Sequence, residues 1–212
     1  MPLIAYSIKS AQQSKSLDRF IVSTDDSEIA SVAKDYAAEV PFMRPAELAE
    51  DDTPDLPVFQ HALKWLWENE RYRPEILVHL RPTQPLRQGG DIDQVVKLLT
   101  ESDADSVKSV RPVKEQPHKM WRIEGGRLSP YLQTEFRLRV GPDYPRQKLE
   151  PVYISTGVVD AVWSKVIDEG STTGTNVLSY ITDSIRSLDL DTPDDFIIAE
   201  AVMRDLWPTH RR

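Results

Sequence analysis

An α/β fold with a mostly parallel sheet covered by helices is predicted by three observations. Short apolar runs suited to strands alternate with amphipathic helical patterns through about residue 110. The run EILVHL, Glu75 to Leu80, has the continuous apolar character of a strand buried on both faces. It leads through a Pro-rich loop into a helical pattern, the order of a strand, loop and crossover helix.

In chain order, Leu3, Ile4, Ser7, Ile8 and Ala11 have the spacing of an amphipathic helix, with Pro2 placed for its first turn. Phe20 to Val22 in RFIVS reads as a short strand, followed by a helix with Ile29, Val32, Ala33 and Tyr36 on one face. Asp25, Asp26 or Ser27 would cap it. Pro57 to Glu68 carries Val58, His61, Ala62 and Trp65 at helical spacing. The helix after EILVHL has Ile92, Val95, Val96 and Leu99 in register.

KMWRIEGGRLSPYL then breaks the alternation. Trp121 and Ile123 alternate before a Gly125-Gly126 turn, the pattern of a hairpin. With the Arg- and Pro-rich segment beyond, residues 115–150 form an expected excursion from the main sheet, within one domain spanning 1–212. The sheet is expected to resume at VYIST and again at SIRSLDLD. A last helix begins near Thr192, with Thr192 as N-cap, Pro193 in the first turn, and Ala199, Val202, Met203 and Leu206 buried.

The 212 residues are 40% hydrophobic and 28% charged, enough apolar material for one substantial core. Lys plus Arg is 26 against 34 for Asp plus Glu, a net charge of −8, which disfavours nucleic acid as a partner. There is no cysteine, so disulfides and thiolate metal sites are excluded. Neither a signal-like N-terminus nor a membrane span is recognisable, and a cytoplasmic protein with no membrane partner is expected.

The sharpest chemical signal is SLDLDTPDDF. On an extended strand Asp189 and Asp191 would share one face while Leu188 and Leu190 face the packing, and such hard oxygen ligands suit Mg²⁺ bound together with phosphates. The alternative is that Asp191, Asp194 and Asp195 serve the positive end of the following helix. In VHLRPTQPLR a strand runs into a loop bearing Arg81 and Arg87, placed for an anionic or nucleotide ligand beyond the strand's carboxyl end, or else a rigid surface connection with two solvated arginines. Lys114, His118 and Lys119, with Arg146, Gln147 and Lys148, offer cations for a carboxylate or phosphate. GSTTGTN lacks the lysine of a P-loop and reads as a flexible loop, and His61, His79, His118 and His210 have no zinc spacing.

Taken in order, PLIAYSI, IVSTDDSEIASVAKDYAAEVPFMRPAELAEDDTP, LRPTQPLR, QPHKMW, PRQKLEPVYISTG and SLDLDTPDDFIIAE resemble the acylneuraminate cytidylyltransferases, also called CMP-sialic acid synthetases. The resemblance covers almost the whole chain. It implies a nucleotide-binding, Rossmann-like sheet on which CMP passes from CTP to the anomeric hydroxyl of a nine-carbon 2-keto sugar acid, with release of pyrophosphate, in surface glycan synthesis. It makes Asp189 and Asp191 the catalytic, Mg²⁺-binding pair. Arg81, Thr83 and Gln84 become nucleotide-binding, Gln84 standing where the family usually has Ser. Lys119, Arg146, Gln147, Tyr153 and Gly157 become substrate-binding, and the excursion becomes the dimerisation element of a homodimer. The family begins with a strand and a Gly-, Arg- and Lys-containing triphosphate loop ahead of the Pro-Leu found here as Pro2-Leu3. A start upstream of Met1 is therefore expected; the competing readings are a silent subunit pairing with a complete relative, and an enzyme for a shorter 2-keto acid.

Overall fold

The computed structural model describes residues 1–141 and 143–206. The chain divides into two units, one formed by Met1–Val110 with the chain from Ser155 onward, the other by Arg111–Ile154.

In the first unit, α1 spans Leu3–Gln13 with Pro2 at its N-cap, and α2 spans Ser27–Asp35. Asp26 caps α2, its carboxylate accepting from Glu28 N at 2.7 Å and Ile29 N at 2.9 Å. The buried face of α2 is Ala30 and Ala33, whereas Ile29 lies outside it at 42% exposure. Phe20 to Val22 does not form a strand with neighbours on both sides. A single parallel bridge joins Ile21 to Glu39, made by Val22 N donating to Glu39 O, so the pairing is too short to propagate. α3 follows at Asp55–Glu70 and β1 at Ile76–His79, then α4 at Gly89–Thr100 and β2 at Ser106–Pro112.

The second unit holds a hairpin of β3 (Trp121–Glu124) and β4 (Arg127–Pro130), paired Trp121 to Pro130 and Glu124 to Arg127. Gly125 and Gly126 close it at φ of 54° and 77°. Both are left-handed, the backbone that a two-residue hairpin turn demands. α5 (Glu135–Val140) follows, capped by Thr134 Oγ1, which accepts from Arg137 N.

β5 (Tyr153–Trp163) returns the chain to the first unit and leads to α6 (Ser164–Asp168), β6 (Val177–Ile181) and α7 (Pro193–Leu206). The main sheet has the order β1-β5-β2-β6. It is mixed rather than mostly parallel: β2 and β6 run parallel, whereas β1 is antiparallel to β5, Ile76 facing Trp163 and His79 facing Asp160. Val177–Ile181 supplies the last strand, and SIRSLDLD does not. Asp183 folds that segment into a turn, its carboxylate accepting from Ile185 N at 2.7 Å and Arg186 N at 3.3 Å. Side-chain bonding of this kind competes with the strand ladder, and the chain reaches Asp189 as irregular backbone.

The apolar stripe of α4, Ile92, Val95 and Leu99, is completely buried against Val107 of β2 and Val158, Val159 and Ala161 of β5. Each of these α4 side chains contributes about 1.5–3 kcal/mol relative to exposure. A second cluster packs Leu56, Phe59 and Leu63 of α3 against Val162, Val166 and Ile167. GSTTGTN is held rather than loose, because the Asp105 carboxylate accepts from Thr175 N at 2.8 Å and Asn176 N at 2.9 Å. No helix among the described residues is long and apolar enough to cross a membrane.

Candidate active site

The loop Leu80–Gln88 leaves the carboxyl end of β1 and enters α4, the position at which open α/β sheets present ligands. Its conformation is set by Arg87. This arginine is 4% exposed; Nη1 donates to Ser7 Oγ at 2.9 Å, Nη2 to Arg81 O at 2.6 Å, and Nε to Val158 O. Burial lowers its pKa to about 10, with Asp91 and Asp160 opposing that effect. Arg87 is thus a buried fastener between α1, the loop and β5, contrary to the solvated arginine that the sequence allows.

Arg81 projects from the same loop. Its guanidinium donates to Asp55 Oδ2 at 2.9 Å at the start of α3, and its side chain crosses Gly157 so closely that a Cβ there would lie 2.6 Å from Arg81 Cδ. Gly157 also has φ 68°, so both space and backbone require glycine. Asp55 is shared with His79, whose Nδ1 lies 3.9 Å from the same carboxylate oxygen. Burial holds the His79 imidazole down at about 4, a pull that Asp55 opposes.

Gln84 is fully buried and its amide donates to Thr156 O at 2.7 Å. Its amide oxygen, also buried, has no partner among the described residues. Thr83 is half-buried, and its carbonyl accepts the Leu190 N–H at 3.0 Å. This contact binds the loop to the stretch holding Asp189 and Asp191. Leu190 is buried, with Asp189 half-buried on one side of it and Asp191 exposed on the other.

The approach to Asp189 is anchored at a second point. The Asp91 carboxylate, 3% exposed on α4, accepts from Gln88 N at 2.8 Å, from Tyr180 Oη at 2.8 Å and from Arg186 Nη2. Arg186 sits in the turn three residues before Asp189. Burial and the bond to Asp91 push the Tyr180 hydroxyl up to about 12.

Asp189 Oδ1 is buried and has no hydrogen-bond partner among the described residues. An unsatisfied buried carboxylate oxygen costs free energy unless a donor or cation meets it, which fits a hard cation. No group of three or more His, Cys, Asp or Glu able to hold a metal occurs among the described residues. Asp191, two residues further along the chain, carries the other carboxylate of the motif, and Mg²⁺ beside substrate phosphates is commonly held by one or two carboxylates. Asp195 belongs to the helix: its Oδ2 accepts from Thr192 N and Thr192 Oγ1, both at 2.7 Å, and these bonds lower its pKa.

Lys119, Arg146, Gln147 and Tyr153 belong to the second unit. Lys119 is half-buried; Arg146, Gln147 and Tyr153 are exposed, and Arg146 Nη1 donates to Lys114 O at 3.3 Å. Of the four histidines, His61 packs edge-on against Phe42 and His118 against Phe136, while His210 lies outside the described residues. Sequence reasoning missed Ser7, Asp55, Asp91 and Arg186. Ser7 and Asp91 carry one sequence signal, polarity on a helix face that packs inward, whereas Asp55 and Arg186 carry none.

Residues 1–121 match the family model described as Cytidylyltransferase. A protein of Campylobacter coli called post-translational flagellin modification protein B is 27% identical over 97% of this chain and 85% of its own. A CMP-N,N'-diacetyllegionaminic acid synthase of Legionella pneumophila subsp. pneumophila is 30% identical over 95% of this chain and 85% of its own. The solved structure of CMP:2-keto-3-deoxy-manno-octonic acid synthetase complexed with CTP shares the fold at a TM-score of 0.64, with 13% identity over 96% of this chain and 88% of that one. With the Rossmann-like sheet and the loop beyond β1 in place, the matches establish that the chain belongs to the cytidylyltransferase family.

Proposed function

We propose that the protein transfers CMP from CTP to the anomeric hydroxyl of a sialic-acid-like, nine-carbon 2-keto sugar acid in the cytoplasm, with Mg²⁺ held by Asp189 and Asp191. The observation that carries this reading is the hydrogen bond from Leu190 N to Thr83 O, which ties the pair of aspartates to the loop of Arg81, Thr83 and Gln84. The buried, unpartnered Asp189 Oδ1 supports the metal, and the name of the Legionella relative supports the sugar class.

In the reaction the sugar's anomeric oxygen attacks the α-phosphorus and loses its proton. The bond from that phosphorus to the β-bridging oxygen breaks, and pyrophosphate leaves. Mg²⁺ would offset the charge that builds on the departing phosphates. Arg81 and Thr83 present a cation and a hydroxyl to the nucleotide, while Gln84, fully buried, holds the loop they stand on through its bond to Thr156 O. Gly157 keeps Arg81 in place, while Lys119, Arg146, Gln147 and Tyr153 receive the sugar acid. The excursion forms a homodimer contact, a reading supported by the exposed apolar side chains of Ile123, Leu128 and Leu138.

The test is pyrophosphate release with Mg²⁺, CTP and a panel of eight- and nine-carbon 2-keto sugar acids. Turnover is expected with a nine-carbon acid and only when Mg²⁺ is present. A folded sample that releases no pyrophosphate with any acid, or that prefers the eight-carbon acid, contradicts the reading.

A further inference from the structure

The unit Arg111–Ile154 buries an arginine that no described residue neutralises. Arg137 is 2% exposed, and its guanidinium carbon lies 4.9 Å from the centre of the Trp121 ring. Its Nε and Nη2 are both buried without an acceptor among the described residues. The ion pair recorded for an arginine of this unit, Arg122 with Glu124, involves a different side chain.

Nε–H and Nη2–H form one edge of the guanidinium, two parallel donors in a plane, the edge that takes a carboxylate side-on through two hydrogen bonds. The cation–π contact with Trp121 holds the guanidinium over that ring. Burying a cation without a counter-charge opposes folding, and an apolar side chain of the same length would fill the volume without that cost. A buried fork left open on one whole edge is accounted for by an anion absent from the isolated chain. Two coplanar donors match the two oxygens of a carboxylate.

We propose that Arg137 is a binding site for the carboxylate of a small 2-keto acid, received through Nε and Nη2 over the Trp121 platform. The identity of the natural acid rests on the function proposed above; the site itself does not. Because the fork is closed to solvent, the acid enters as neighbouring side chains of the unit move aside.

The test uses the whole protein labelled with ¹⁵N, with the Arg137 Nε–H resonance identified by its loss in Arg137→Lys. The probe is pyruvate, the smallest 2-keto acid, with methyl pyruvate and sodium chloride at matched ionic strength as controls. The resonance is expected to move saturably with pyruvate and with neither control. Arg137→Lys is expected to weaken pyruvate binding about tenfold, and to raise KM for the sugar acid by a similar factor while leaving KM for CTP unchanged. A resonance that ignores pyruvate, or that follows chloride equally, overturns the site. A resonance that responds only to protein concentration assigns the carboxylate to a second copy and also overturns it. A response to pyruvate in a protein that turns over no sugar acid leaves the site standing and removes the proposed function instead.

Discussion

Arg87 and Arg137 are both buried, at 4% and 2% exposure, yet they end in opposite surroundings. Arg87 directs its donors to Ser7, Arg81 and Val158, three segments of its own chain, and so shapes the loop beyond β1. Arg137 lies over the Trp121 ring and leaves one edge of its guanidinium without acceptors among the described residues. The excursion around it also exposes Ile123 at 72% and Leu138 at 65%. Arg87 is satisfied within its own chain, whereas Arg137 keeps donors without acceptors among the described residues.

That contrast can be broken most severely at Asp191. If the loop region is prepared for catalysis, Asp191→Ala lowers kcat about a thousandfold, while circular dichroism and melting remain those of the parent, because the side chain is exposed. Unchanged kcat removes the metal assignment. Gly157→Ala should be the next most damaging. Its Cβ would lie 2.6 Å from Arg81 Cδ on a backbone at φ 68°. Arg81 must therefore move, and KM for CTP should rise about tenfold or more.

Arg87→Met removes three hydrogen bonds and leaves the Ser7 and Val158 acceptors buried. It should cost about 2–4 kcal/mol in urea unfolding, more than removal of any exposed arginine. A loss below about 0.5 kcal/mol, the size expected for surface changes, contradicts the role of Arg87 as a fastener.

His79, beside the same loop, gives the region a pH signature. Its folded pKa of about 4 lies below its ordinary value of 6.5, so between those limits the unfolded chain binds the extra proton. Stability therefore falls as pH drops from 6.5 toward 4, by about 1 kcal/mol per pH unit from this residue, and His79→Phe should flatten that slope. Unfolding midpoints measured across the window check it. The smallest effect on stability is expected from Ile123→Ser in the excursion, less than about 0.5 kcal/mol; light scattering tests the proposed homodimer contact, which predicts a dimer for the parent and a monomer for the variant.

Much of the fold was legible in periodicity. The α4 stripe and the Gly125-Gly126 hairpin follow from local spacing, and the structure forms both; at the start of α7 the Thr192 hydroxyl and N–H instead donate to the Asp195 carboxylate. SIRSLDLD misled because its apolar residues alternate as in a strand, while the Asp183 side chain satisfies the Ile185 and Arg186 amides and favours a turn. The antiparallel pairing of β1 with β5 depends on partners far apart in the chain, which periodicity does not encode. The aspartate pair stood out as a motif. Arg87 did not, because its burial depends on Ser7 and Val158, acceptors distant in the chain, and a lone arginine in a Pro-rich loop carries no local sign of them.

The central claim is the formation of a CMP-linked sugar acid by this chain. Phosphorus NMR of the protein with CTP, Mg²⁺ and a nine-carbon 2-keto sugar acid tests it most directly. The account predicts loss of the three CTP resonances and growth of two, pyrophosphate and a single phosphodiester, dependent on both Mg²⁺ and Asp191. Persistence of CTP beside a folded protein, or its conversion only to free CMP and pyrophosphate, would contradict the account.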